Sequence, residues 1–99
     1  MKIPKKVKIG PSTYTITESK GVAEQGSVLG SLHVRTLTIY IDPRLPQQQK
    51  ELTFFHEVLH ACLRHAGLHH LMEDKQEEQI VDSLSCGLYQ VLKSNRLLK

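Results

Sequence analysis

Through the N-terminal part of the chain, apolar and polar side chains alternate with the period of two that marks half-buried strands. Lys6 to Ile9 and Tyr14 to Thr17 are two such runs, and Gly10-Pro11-Ser12 between them predicts a hairpin. The stretch Glu18 to Gly26 is polar and turn-rich, so a loop is expected there. Val28 to Val34 and Leu37 to Ile41, rich in β-branched and aromatic residues, form a second pair of runs about Arg35-Thr36. Together these segments predict a small antiparallel sheet.

The period then changes. Asp42-Pro43 and Pro46 end the strands, and proline in a first turn opens a helix expected from about Pro46 to Ala66, with Gly67 as its stop. A second helix is expected from near Asp74, with Glu77 three residues on in a capping-box-like pattern, to about Lys93. Strands followed by helices specify the α+β class, and 99 residues suffice for one domain spanning 1–99.

On a wheel turning about 100° per residue, the first helix has two apolar stripes on nearly opposite sides. Leu52, Phe55, Leu59, Cys62, Leu63 and Ala66 form one, and Phe54, Val58 and Ala61 the other. Such a helix is expected to lie between the sheet and the second helix. The polar sector between the stripes carries Thr53, His56, Glu57, His60 and Arg64, and packing is expected to leave it open as a cleft. On the second helix, Ile80, Val81, Leu84, Leu88 and Val91 form the expected core stripe. Glu77 points into that stripe, as a buried ligand or a first-turn cap, while Glu78 lies on its flank close to Asp82.

This sector contains His56-Glu57-Val58-Leu59-His60, an HExxH motif. Four residues make about one helical turn, so both imidazoles leave one face roughly 6 Å apart along the axis and can converge on one ion. Zinc accepts neutral imidazoles, and a catalytic zinc takes three protein ligands and keeps a fourth position for water. Glu57 lies beside that position and is the expected general base. A shuffled chain of this composition would spell HExxH with a chance of roughly 2%, so the motif needs its context. Glu78 is the favoured third ligand over Glu77, because a flank position reaches a neighbouring helix while staying in the cleft. Asp82, one turn on, suits an acceptor for the free ring N–H of His56 or His60.

With Glu78-Gln79-Ile80-Val81-Asp82, these residues resemble the gluzincin metallopeptidases, in which HExxH is completed by a glutamate on a later helix. The segment looks like the thermolysin-type ExxxD element, whose Glu binds zinc and whose Asp supports the first motif histidine. By that resemblance Glu78 is the ligand and Asp82 supports His56. The plan is also similar to the small phage and prophage metallopeptidases, including the ImmA/IrrE-like ones, and implies a minimal zincin domain, or minigluzincin. Thermolysin-like enzymes add a tyrosine and a histidine after the glutamate helix to stabilise the oxyanion. Here no His follows His70, which leaves Tyr40, Tyr89, His65, His69 and His70 as candidates for that task. A metzincin would need Gly and His where this chain has Leu63 and Ala66. SprT-like proteins complete HExxH with a later His, which keeps His69 or His70 open as the third ligand.

Composition narrows the remaining classes. The chain is 39% hydrophobic and 23% charged, ordinary for a soluble globular protein. The formal charge of +3 and the cluster Lys2, Lys5, Lys6 and Lys8 invite a nucleic-acid partner, but no aromatic residues are interleaved and no nucleic-acid motif follows. Met1 to Lys8 lacks the apolar run of a signal peptide, and no stretch approaches the ~20 apolar residues of a membrane span, so a cytoplasmic protein without membrane partners is expected. Cys62 and Cys86, among apolar neighbours, are expected as reduced core residues. The expected activity is zinc-dependent hydrolysis of a peptide or protein substrate. The alternative is a zinc-holding regulatory or partner-binding domain with negligible hydrolysis, and a purely structural zinc site would have no use for Glu57.

Overall fold

The computed structural model describes residues 1–20 and 29–98. The expected loop from Glu18 to Gly26 falls largely outside them, as does Val28 at the start of the third run. Strands β1 (Lys6–Ile9), β2 (Ser12–Glu18), β3 (Gly30–His33) and β4 (Thr38–Ile41) precede helix α1 (Gln47–His65), a short 3-10 turn (Leu68–Leu71) and helix α2 (Asp74–Ser94). The α+β class is as the pattern predicts.

The sheet runs in the order β1-β2-β4-β3. Both hairpins are antiparallel, but β2 and β4 pair in parallel, with Ile16 opposite Ile39. The expected wholly antiparallel sheet is therefore a mixed one. A strand in the central slot lies under the middle of α1 and needs large apolar side chains on the face toward the helix, and β4 meets that demand better than the Gly30-Ser31-Leu32-His33 strand. Ile39 and Ile41 of β4 are fully buried and β3 is half-buried to exposed. With β4 in the central slot, β3 becomes the edge and the two hairpins join through strands of the same direction.

Residues Ile9, Tyr14, Ile39 and Ile41 meet Phe54 and Ala61 of α1 in the core, with Val58 packed against it. The Phe54-Val58-Ala61 stripe thus faces the sheet. On its other side α1 meets α2, where Phe55 packs against Tyr89 with ring centroids 5.9 Å apart. The Tyr89 hydroxyl donates to the buried Glu51 carboxylate at 3.0 Å. α1 stops where Gly67 takes a left-handed φ of 75° and its N–H returns to the Arg64 carbonyl at 3.1 Å.

Three expectations about packing fail. Cys62 and Cys86 are exposed rather than buried. In α2, only Val81 of the expected core stripe is buried, whereas Ile80, Leu84, Leu88 and Val91 face outward and Glu77, Ser85 and Tyr89 face inward with Val81. The polar inner row is what α1 has to meet, because the α1 side chains opposite include Glu51 and the two motif histidines. Finally, the capping box begins one residue earlier than expected, with Glu73 and Gln76 as its reciprocal pair, and this releases Glu77 from the cap.

Candidate metal centre

One close approach holds the edge strand against α1 at the level of the motif. A Cβ built on Gly30 would lie 2.6 Å from Thr53 Cγ2 and 2.8 Å from the Tyr40 carbonyl oxygen, so only glycine lets β3 lie this near. The consequence is burial of Thr53 and Glu57, each 6% exposed. The polar sector expected to stay open is therefore partly roofed by β3, leaving His56 and His60 half-buried and Arg64 exposed.

These imidazoles point the same way. His56 Nε2 lies 3.2 Å from His60 Nε2, and Glu78, on the facing helix, places one carboxylate oxygen 2.9 Å from His56 Nε2 and the other 3.0 Å from His60 Nε2. One ligand atom from each of His56, His60 and Glu78 lies within 4.8 Å of the others. The far side of each ring is held too. His56 Nδ1 meets Asp82 Oδ1 at 3.1 Å, and His60 Nδ1 meets Glu77 Oε2 at 2.5 Å. With Nδ1–H donating to a carboxylate on each ring, both Nε2 atoms present lone pairs to the same point as Glu78. Two lone pairs and a carboxylate facing one another repel, and a divalent cation between them reverses the sign. By its chemistry the donor set therefore fits a metal ion.

Glu57 borders the same point from the sheet side. Burial pushes its carboxyl up to about 7, the Glu78 carboxylate adds to the rise, and His60 opposes it. A cleft of about 540 Å³ opens in front of the site, with an apolar wall of Leu29, Leu52 and Cys86 leading to His56, Glu57 and Glu78. A smaller pocket on the other side is lined by Leu32, His60, Arg64 and Asp74, and shares Glu57 and Glu78. Arg64, one turn beyond His60, is the one lysine or arginine among the described residues that line either cavity.

The remaining sequence candidates are placed elsewhere. His69 and His70 stack on each other at 3.8 Å between centroids and are not in the cluster of ligand atoms. His65 Nε2 meets the Tyr14 hydroxyl at 2.9 Å, Tyr40 packs edge-on against His33, and Tyr89 is engaged with Glu51. None of them lines the two cavities. The contact missed from sequence is Glu77 with His60. Its signal was the inward direction of Glu77 on the wheel, one residue before Glu78 and one turn before Val81.

A family model described as the IrrE N-terminal-like domain, of peptidase type M78, matches residues 14–82. The match runs from β2 to Asp82 and includes every residue of the cluster. No curated protein and no solved structure matches the chain.

Proposed function

Since the chain belongs to the IrrE N-terminal-like domain family of peptidases, we propose that it is a zinc-dependent endopeptidase with His56, His60 and Glu78 as metal ligands. The observation that carries this reading is the convergence of the two Nε2 atoms and the Glu78 carboxylate on one point, with Asp82 and Glu77 holding the opposite ring nitrogens. Zinc bound there would supply activation of water and polarisation of the scissile carbonyl.

The side chains do the rest. Asp82 and Glu77 fix the ring orientation and raise the basicity of the histidines. Glu57, buried beside the ligands, accepts the proton of the attacking water and passes it to the leaving amine. An extended substrate adds as a strand to β3, the sheet edge nearest α1, which brings its backbone past Glu57. Its side chains then fall on either side of the site, toward Leu29 and Leu52 or toward Leu32 and Arg64. Arg64 is our choice for countering negative charge that develops on the carbonyl oxygen, because none of the expected tyrosines or histidines lines either cavity.

Glu57→Gln tests the reading. The expected result is stoichiometric zinc with cleavage of an unstructured protein lowered about 10²–10⁴-fold. Unchanged cleavage by the variant refutes Glu57 as the base. A wild-type chain that holds zinc but cleaves no unstructured protein would instead be a zinc-holding regulatory domain.

A further inference from the structure

The cleft in front of the metal centre continues past it along α1. A third cavity, of about 300 Å³, lies between the start of α1 and the later half of α2, bounded by Pro46, Gln48, Gln49, Leu52, Cys86 and Tyr89. Gln49, Leu52 and Cys86 also line the larger cleft, which in turn shares Glu57 and Glu78 with the pocket beside Arg64. The three hollows therefore form one trench that follows α1 from Arg64 back to Pro46, a run of roughly 27 Å at about 1.5 Å per residue. The third hollow holds none of the metal-site residues, and among the described residues that line it there is no charged side chain. The amide groups of Gln48 and Gln49 have no hydrogen-bond partner among the described residues, so each has donors and an acceptor to offer a chain lying in the trench.

We propose that this third cavity is a remote subsite, occupied by the third or fourth residue after the scissile bond, so that the protein prefers extended chains to short peptides. This subsite rests on the peptidase reading of the metal centre and gives it a chain direction and a reach. β3 runs along the trench in the direction of α1, because Leu29 and Gly30 line the cleft with Gln49 and Thr53, whereas Leu32 lines the pocket with His60 and Arg64. On its other edge β3 pairs antiparallel with β4. Antiparallel ladders are the more stable per residue, so a substrate strand added to the free edge runs against β3. Its amino-terminal side then lies by Leu32 and Arg64. The bond to be cut lies at Glu57 and Glu78, which the two hollows share, and the carboxyl-terminal side passes Leu29. Gln48 stands eight residues before His56, about 12 Å along the helix. An extended chain advances ~3.3 Å per residue and covers that distance in three to four residues. There the two amides supply hydrogen bonds to the substrate backbone, as the β3 edge does nearer the site, and Pro46, Leu52 and Tyr89 accept an uncharged side chain. Binding so far from the reacting bond can be used to hold that bond in place.

The test is a series of peptides that carry one cleavable bond, with a constant stretch before it and from one to roughly six residues after it. The bond is chosen by mapping the cuts that the zinc-loaded wild-type chain makes in β-casein. kcat/KM should rise about tenfold or more between the second and fourth residues after the bond and then level off. A series that gains nothing beyond the second residue overturns the subsite. A gain of that size only from residues added before the bond overturns the chain direction and the subsite with it. Charge at Gln48 gives a second measurement, because this side chain is exposed and the substitutions keep a good helix former. With Glu or with Lys at both the third and fourth places after the bond, Gln48→Lys should favour the Glu peptide and Gln48→Glu the Lys peptide, each at least about fivefold relative to wild type. An unaltered preference in both variants overturns the subsite. A wild type that cuts neither β-casein nor any peptide removes the peptidase reading and this subsite together, whereas cleavage indifferent to length removes the subsite alone.

Discussion

Both helices are amphipathic, yet α1 turns apolar side chains toward the sheet while α2 turns polar ones toward α1. Phe54 and Ala61 of α1 meet the isoleucines of the sheet. The inner row of α2 carries Glu77, Val81, Ser85 and Tyr89, and its more apolar row faces away. The difference teaches where a hydrophobic pattern locates a core. A helix packed on a sheet must meet apolar atoms, whereas a helix packed on a row of imidazoles must bring acceptors, and its leucines go to the other side.

The contrast can be broken most severely at Glu78. Glu78→Ala leaves two imidazoles facing each other without the carboxylate, and the expected result is loss of stoichiometric zinc on dialysis with the fold retained; full retention would remove Glu78 from the ligand set. Next comes the carboxyl that α1 itself buries. In chelator-treated protein, Glu57 titrates near 7 when folded and at the ordinary carboxylate value when unfolded. A raised folded value means that the neutral form is favoured in the fold. Stability is therefore full below about pH 4.5 and falls as pH rises through 7, by on the order of 3 kcal/mol. Denaturant titration of wild type against Glu57→Gln should show this slope in the first and not in the second.

The two ring supports give a finer comparison. Glu77 is 8% exposed and Asp82 61%, so solvent screens the second far more. Glu77→Gln should weaken zinc binding about 100-fold and Asp82→Asn about tenfold, read by competition with a chelator. The opposite order would show that the buried contact is not the dominant one. The smallest effect separates the two faces of α2. Val81→Ala should cost about 2 kcal/mol of stability and Leu84→Ala about 0.5 kcal/mol or less. Equal losses would mean that the outer row is as well packed as the inner.

The strands and both helices were legible because alternation, proline and glycine act locally: Pro46 precedes α1 and Gly67 follows it, as read. His56, His60 and Glu57 were legible because one helical turn fixes their relative directions. Glu78 and Asp82 could be nominated because they share a flank of α2 over one turn. What the sequence hid depends on contacts between distant segments. The parallel pairing of β2 and β4 follows from which strand takes the central slot, and Gly30 reveals its task only once Thr53 stands opposite. The outward leucines of α2 were misread for the same reason, since amphipathicity names two faces without saying which one is inside.

The inner row of α2 also joins folding to ion capture. Glu77, Glu78 and Asp82 all reach the motif histidines of α1, while Val81 and Tyr89 are the buried apolar side chains that α2 brings. So small an apolar contact holds a helix weakly, and an ion ligated from both helices as proposed would act as a rivet between them. Amide protons of α2 should therefore exchange well ahead of those of β4 in chelated protein. They should slow toward the rate of the sheet as zinc is restored, so that the occupancy of one site sets how often an entire helix lifts away.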